Sequence, residues 1–139
     1  MSAATKEVEE LKRKAGEFLE GAKRALDSRQ FDLSCFLYEQ GLQLTLKSGL
    51  LAEAGDFPRT HSLRGLLAEF REDVPAVEGF VRRNRARISS LEDAYVMARY
   101  SEKGYTEADA ADAAKLCGEV MRLIGGRKGA GRRRRLGKA

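Results

Sequence analysis

The chain has 139 residues, of which 42% are hydrophobic and 34% charged, and its formal net charge at pH 7 is +5. This balance is typical of one soluble globular domain and excludes collagen-like, mucin-like and cysteine-stapled classes. No apolar run reaches the ~18 residues of a membrane span, and the charged N-terminus contains no secretory stretch. We therefore expect an intracellular, cytoplasmic protein with no membrane partner.

The positive charge is concentrated at the C-terminus. Residues 125–139 hold seven of the 26 basic residues and no acidic one, which leaves 19 basic and 21 acidic residues in 1–124. We expect one folded domain over 1–124, followed by a disordered tail. Unopposed charges among glycines favour contact with nucleic acid, while a solubilising end without a dedicated partner is the alternative. The tail residues assigned to nucleic-acid binding are Arg127, Lys128, Arg132, Arg133, Arg134 and Arg135.

The first half of the domain reads as two long helices. Apolar residues at three- and four-residue spacing predict an amphipathic helix over residues 6–26. A second helix is predicted to follow an N-cap at Asp32 and to run to about Ala54, where Gly55 supplies a stop. Its leucines form two stripes, so we expect it to contact neighbours on two sides and to be the central helix.

The second half reads as one short and two longer helices. Thr60 or Ser62 can cap a short helix over about residues 61–71, and Pro75 marks the start of a long helix that continues to about Arg99. Thr106, with Asp109 three residues later, forms a capping-box-like start for a last helix that ends near residue 124. Without strand-like alternation, the fold class is all-α: an up-and-down antiparallel bundle of four longer helices plus one short helix.

The cysteines do not suggest a metal site or a cofactor. Cys35 and Cys117 lie far apart in the sequence, and the chain has a single histidine to complete a ligand set. Each cysteine falls on a predicted helix, where a free thiol usually fills core volume. We therefore predict two buried core cysteines, no metal and no cofactor.

Three segments, taken in order, resemble the HEPN family of small helical domains, and the similarity spans about residues 5–124. They are Phe31-Asp32-Leu33 through Tyr38-Glu39-Gln40 to Lys47, then Thr60-His61-Ser62-Leu63-Arg64, then Leu91-Glu92-Asp93-Ala94-Tyr95 through Ala98-Arg99-Tyr100. The resemblance implies a bundle that forms a homodimer and is often encoded beside a minimal nucleotidyltransferase as a toxin–antitoxin-like pair. It also implies a role in binding nucleotide or RNA, or in RNA cleavage.

One feature of the family's nucleases is missing. Those members carry an Arg followed after four to six residues by His, whereas Ala54, Gly55 and Asp56 stand at the positions that would supply the Arg for His61. The only nearby Arg before His61 is Arg59. An enzyme is therefore the less favoured interpretation.

Several residues are candidates for ligand contact. Thr60-His61-Ser62 opens a predicted helix, where free N–H groups favour a phosphate, and Arg64 follows one turn later; helix capping is the structural alternative. On the second helix, Phe36, Gln40, Gln43 and Lys47 form a polar stripe among leucines, and Lys47 could face an acidic ligand, extend to water or mark a dimer seam. Arg99 lies between Tyr95 and Tyr100 and could clamp a phosphate or stack on a base, or simply neutralise a helix end.

Two functional hypotheses follow. The first is a non-catalytic, dimeric HEPN-type domain that binds nucleotide or RNA and serves as helper subunit of a minimal nucleotidyltransferase. The alternative is a degenerate metal-independent ribonuclease in which His61 is the acid–base group and Arg64 or Arg99 stabilises the transition state. The nucleotide-binding residues of the first hypothesis are Lys47, His61, Arg64, Tyr95, Arg99 and Tyr100.

Overall fold

The computed structural model describes residues 3–100, 102 and 104–126, which form six α-helices and no strand. This confirms the all-α fold class. Among these residues, no helix is both long and apolar enough to cross a membrane. The helices are α1 (Ala3–Asp27), α2 (Phe31–Ala54), α3 (Leu63–Ala68), α4 (Ala76–Arg83), α5 (Arg85–Tyr100) and α6 (Glu107–Gly125).

The second helix, α2, is the centre of the bundle. It contacts α1, α3, α5 and α6, and its Leu42, Leu46 and Leu50 are almost completely buried. Fully burying each such leucine stabilises the fold by about 1.5–3 kcal/mol. The helix ends at Gly55, whose φ of 84° is left-handed and whose N–H donates to the Leu51 carbonyl. Both the central position and the stop at Gly55 were predicted from the sequence.

Asp32 has a different role from the predicted N-cap. The cap position is Gln30, whose side chain makes no capping hydrogen bond, and Asp32 lies in the first turn of α2. The Asp32 carboxylate accepts a hydrogen bond of 2.6 Å from the Tyr105 backbone N–H. This side chain thus joins the connection between α5 and α6 to the start of the central helix.

The predicted long helix after Pro75 is two helices, α4 and α5, separated at Asn84. The Asn84 side chain donates a hydrogen bond to the Phe80 carbonyl, which also accepts from the Asn84 backbone N–H. Asparagine competes for backbone groups in this way and interrupts regular helices. The last helix does begin as predicted, because Thr106 and Asp109 form a complete capping box.

Arg87 connects α5 to α6. Its Nε donates to both Asp112 carboxylate oxygens at 3.0 Å, and its Nη1 donates to Glu119 at 2.9 Å. These hydrogen bonds raise the pKa of Arg87 above its usual value. The neighbouring Arg82, Arg83 and Arg85 are exposed, so Arg87 alone of this arginine group has a structural partner on α6 among the described residues.

The crossing of α1 and α2 depends on Gly41, and this gives a stability test. A Cβ at Gly41 would lie 2.6 Å from Leu19 Cδ2 and 3.3 Å from the Leu19 backbone N. We expect Gly41→Ala to lower the free energy of unfolding by about 1–3 kcal/mol through overpacking. Gly16→Ala on α1 is the matched control, because its Cβ meets nothing within 4 Å; we expect it to raise stability by about 0.5–1 kcal/mol. Urea unfolding measures both, and equal stability of the two variants would contradict the close crossing.

Candidate nucleotide-binding face

Most of the predicted ligand-contact residues meet on one side of the bundle. We call this surface the α2–α5 face; it is formed by α2, α5 and the connection between α2 and α3. Glu39 and Gln43 of α2 are buried behind it. Its exposed and half-buried side chains are Phe36, Lys47, Phe57, Arg59, His61, Tyr95 and Arg99.

Tyr95 stands at the middle of the face and is contacted by two candidate residues. The His61 ring stacks on the Tyr95 ring with centroids 4.7 Å apart and an interplanar angle of 21°. The Arg99 guanidinium lies 5.3 Å from the Tyr95 centroid, 5.5 Å from that of Phe36 and 5.1 Å from that of Tyr100. Each such contact is worth about 0.5–1 kcal/mol at an exposed site. Arg99 forms no ion pair with a carboxylate among the described residues, so its charge is available to a ligand.

A second group of cations surrounds Phe57. Lys47 Nζ lies 5.5 Å from the Phe57 centroid, and the Arg59 guanidinium lies 5.1 Å from it. Burial is the main cause that lowers the pKa of Lys47, and repulsion from Arg59 acts in the same direction, while Glu39 opposes them. Lys47 is therefore half-buried against an aromatic ring rather than fully extended into water.

A chain of hydrogen bonds runs from the buried side of α2 to His61. The Glu39 carboxylate, which has no exposed surface, accepts from Gln43 Nε2 at 2.6 Å and from Gln40 Nε2 at 2.8 Å. Gln43 Oε1 in turn lies 3.0 Å from His61 Nδ1. Burial raises the pKa of Glu39, and the two amide donors partly oppose that shift.

The start of α3 is occupied by protein groups. The Leu63 backbone N–H donates to the Glu92 carboxylate, and Arg64 lies 3.9 Å from the same carboxylate. Ser62, one of the two predicted caps, accepts from the Gly65 N–H at 3.0 Å. The Ser62, Leu63 and Gly65 amide groups at this helix start thus have protein partners, and Arg64 faces an acid.

An open cleft lies beside Tyr95 on the same side of the molecule. It combines an imidazole and an aromatic ring with two carboxylates and two exposed apolar side chains. Its lining residues are His61, Ser62, Glu92, Asp93, Tyr95, Val96 and Met97. A ligand in this cleft would contact both hydrogen-bonding and stacking groups.

The face also contains residues that were not predicted from the sequence as site residues. His61, Tyr95 and Arg99 lie together, Lys47 lies over Phe57 on the same face, and Tyr100, 73% exposed, extends from the end of α5. Glu39, Glu92 and Phe57 were not predicted. Glu39 precedes Gln43 by four residues and Lys47 by eight, so its place on the polar stripe of α2 could have indicated it.

Neither cysteine belongs to the face. Cys35 and Cys117 are free and buried, as predicted, and desolvation raises the pKa of each to about 12. Within the described part of the chain, no group of three or more His, Cys, Asp and Glu side chains could hold a metal ion. The basic residues predicted to bind nucleic acid, from Arg127 onward, lie outside the described residues.

The HEPN domain family model matches residues 8–128. The chain belongs to the HEPN family. Its fold is similar to that of TT1696 from Thermus thermophilus, with a TM-score of 0.70, 23% identity, and coverage of 85% of this chain and 95% of that one. It is also similar to ST0689, an archaeal HEPN homologue, with a TM-score of 0.64, 24% identity, and coverage of 86% and 95%. At such identities the likeness establishes the HEPN fold. No curated protein matches the chain in sequence.

The raised pKa of Glu39 predicts a pH dependence of stability. A carboxyl group whose pKa is raised on folding makes its full contribution to the free energy of unfolding below its ordinary pKa of 4.5. That contribution is lost as the pH rises through the folded-state pKa. Glu39→Gln removes that loss. We expect the stability of Glu39→Gln relative to wild type to be more favourable at pH 8 than at pH 4, measured by urea unfolding.

Glu10→Gln is the control of opposite sign. A hydrogen bond from Arg13 lowers the pKa of Glu10, so this carboxylate stabilises the folded state above pH 4.5. We therefore expect Glu10→Gln to be less stable relative to wild type at pH 8 than at pH 4. Any constant cost of replacing a carboxylate by an amide cancels in the comparison of the two pH values. A stability difference for Glu39→Gln that does not change with pH would contradict the account of this buried group.

Proposed function

We propose that this HEPN-family chain binds nucleotide or RNA on the α2–α5 face and acts as a non-catalytic, dimeric helper of a minimal nucleotidyltransferase. The observation that carries the binding proposal is the Tyr95 ring with His61 on it and Arg99 beside it. Aromatic side chains stack on bases at about 1–3 kcal/mol per base, and guanidinium groups bind phosphate. Both kinds of group occur together here.

The charge distribution supports the same face. Residues 1–124 carry a net charge of −2, so the bundle has no general attraction for polyanions. The α2–α5 face differs because Lys47 and Arg99 lie over aromatic rings and form no ion pair among the described residues, while Arg59, which also contacts Phe57, lies 3.9 Å from Asp56. We propose that the basic tail adds a second, salt-dependent contact through its arginines.

The length of the face favours an oligonucleotide. Phe36 and Lys47 are eleven positions apart on α2, which corresponds to about 16 Å at 1.5 Å per residue. The Arg99 guanidinium lies over the Phe36 ring at one end of the face. At the other end, Lys47 and Arg59 lie over the Phe57 ring. An extended strand could meet a cation and an aromatic ring at each end of this surface.

Exposed apolar side chains support the dimer and partner parts of the proposal. Val96, Met97 and Tyr100 on α5 are 46–73% exposed, and Leu33 on α2 is 47% exposed. Val96 and Met97 lie four and three residues before Tyr100, so their side chains are neighbours of Tyr100 on the surface of α5, and contiguous exposed apolar patches commonly mark protein interfaces. Together with the family membership, they favour a second copy of the chain, or the nucleotidyltransferase of a toxin–antitoxin-like pair, as the partner.

Arg99→Gln tests the binding proposal. We expect it to weaken binding of a labelled oligouridine RNA at least about fivefold, because such contacts contribute ~1–3 kcal/mol. Fluorescence anisotropy across a salt series provides the measurement. Arg24→Gln on α1 is the matched control: it removes the same charge from an exposed position, and we expect less than about a twofold change. Equal losses in the two variants would indicate general electrostatic attraction instead of a site.

A ribonuclease is the second candidate function, because His61 and Arg99 both lie beside Tyr95. His61 would serve as acid–base group, and Arg99 suits the transition state better than Arg64, which faces Glu92. A gel that follows RNA integrity with wild type and His61→Ala separates the candidates. Cleavage that disappears in the variant would establish the enzyme; intact RNA with both proteins supports the binding domain.

A further inference from the structure

The hydrogen-bond chain from Glu39 to His61 has a direction that follows from the donors and acceptors available. Both amide nitrogens, Gln40 Nε2 and Gln43 Nε2, donate to the Glu39 carboxylate oxygens. Gln43 then presents its Oε1 to His61. Because that oxygen only accepts, the proton of a neutral His61 must lie on Nδ1.

We propose that Glu39 and Gln43 are positioning residues that hold neutral His61 in the Nδ1–H form, so that its Nε2 accepts a hydrogen bond from a ribose 2′-hydroxyl. The inference rests on the proposed function, since it assumes a nucleotide or RNA ligand on the α2–α5 face. It adds a basis for discrimination between ribose and deoxyribose, which the binding proposal alone does not provide.

The surroundings of His61 fit this role. Its ring is fixed at two points, by the stack on Tyr95 and by the hydrogen bond to Gln43. His61 is exposed, lines the open cleft, and receives no hydrogen bond at Nε2 from the described residues. A ligand that enters the cleft therefore meets an unprotonated ring nitrogen held in a defined orientation.

The chemistry of that nitrogen selects the ligand group. A lone pair attracts an O–H donor and disfavours a phosphate oxygen, which only accepts. The 2′-hydroxyl is the donor that distinguishes RNA from DNA. Phosphate contact is left to Arg99 and, at the other end of the face, to Lys47, because neither forms an ion pair among the described residues, whereas Arg59 lies 3.9 Å from Asp56. The face thus separates recognition of the sugar from recognition of the phosphate.

Nitrogen NMR of the imidazole tests the positioning directly. The chain has one histidine, so the ring ¹⁵N resonances belong to His61 without further assignment. At pH 8 we expect the wild type to show a protonated Nδ1 and an unprotonated Nε2. Finding the proton on Nε2 in the wild type would overturn the proposal. This test does not depend on whether any variant folds.

Two matched variants separate positioning from general stabilisation. Gln43→Met and Gln40→Met each remove one amide donor from Glu39, but only Gln43 contacts His61. We expect Gln43→Met to give a mixture of the two His61 tautomers and Gln40→Met to retain the wild-type form. The same tautomer in both variants would show that Gln43 does not set it.

Binding of short ligands tests the discrimination. The ribodinucleotide ApA and its deoxy counterpart carry a single phosphate, so the basic tail contributes little to either affinity. Heteronuclear NMR titration of the full chain should give wild type and Gln40→Met an approximately fivefold preference for the ribose form, the effect of one hydrogen bond. The preference should fall below about twofold in Gln43→Met.

The outcomes distinguish this inference from the proposed function. If neither dinucleotide binds, the binding proposal fails and the ribose recognition fails with it. If both bind equally well to the wild type, binding on the face stands and the role of Nε2 as a 2′-hydroxyl acceptor is overturned.

Discussion

A carboxylate without exposed surface, Glu39 on the central helix, is the constraint on which the organisation of the α2–α5 face depends. Burying a carboxylate costs free energy unless its oxygens find hydrogen bonds. Gln40 and Gln43 supply these bonds, and the second amide is thereby fixed in orientation. The orientation extends to His61 and, through ring stacking, to Tyr95. A requirement of the core therefore determines the arrangement of groups at the surface.

The cations of the face follow a different principle. Several arginines of the bundle pair with acids, as Arg87 pairs with Asp112 and Glu119, and on the face itself Arg59 lies 3.9 Å from Asp56. Arg99 and Lys47 instead contact aromatic rings, and no ion pair neutralises them among the described residues. Rings hold a cation in place without cancelling its charge. This is an arrangement suited to an anionic ligand, within a bundle whose overall charge is slightly negative.

The sequence was sufficient for the fold class because apolar spacing and helix ends are local properties. The stop at Gly55 and the capping box at Thr106 depend on a few neighbouring residues and were predicted. The break at Asn84 was missed because apolar spacing continues through it while a single side chain takes a backbone carbonyl. The role of Asp32 was missed because its partner, Tyr105, lies 73 residues away.

The distinction between local sequence patterns and contacts of residues far apart in the sequence also applies to the α2–α5 face. Lys47, His61, Tyr95 and Arg99 could be selected for their side-chain chemistry and for the resemblance to the HEPN family. Their contacts with one another, and the part played by Glu39, depend on how α2, α5 and the intervening connection pack. The Leu63 N–H and the Glu92 carboxylate, 29 residues apart, illustrate why the start of α3 looked available in the sequence. Local patterns select candidate residues, whereas packing decides which of them are already engaged.

Chemical-shift mapping of the full ¹⁵N-labelled chain with adenosine 5′-monophosphate tests most directly whether the α2–α5 face is the ligand site. We expect saturable shifts concentrated at His61, Tyr95, Arg99 and the adjoining turns of α2. Shifts confined to residues 127–139, or a perturbation that never saturates, would contradict a ligand site on this face.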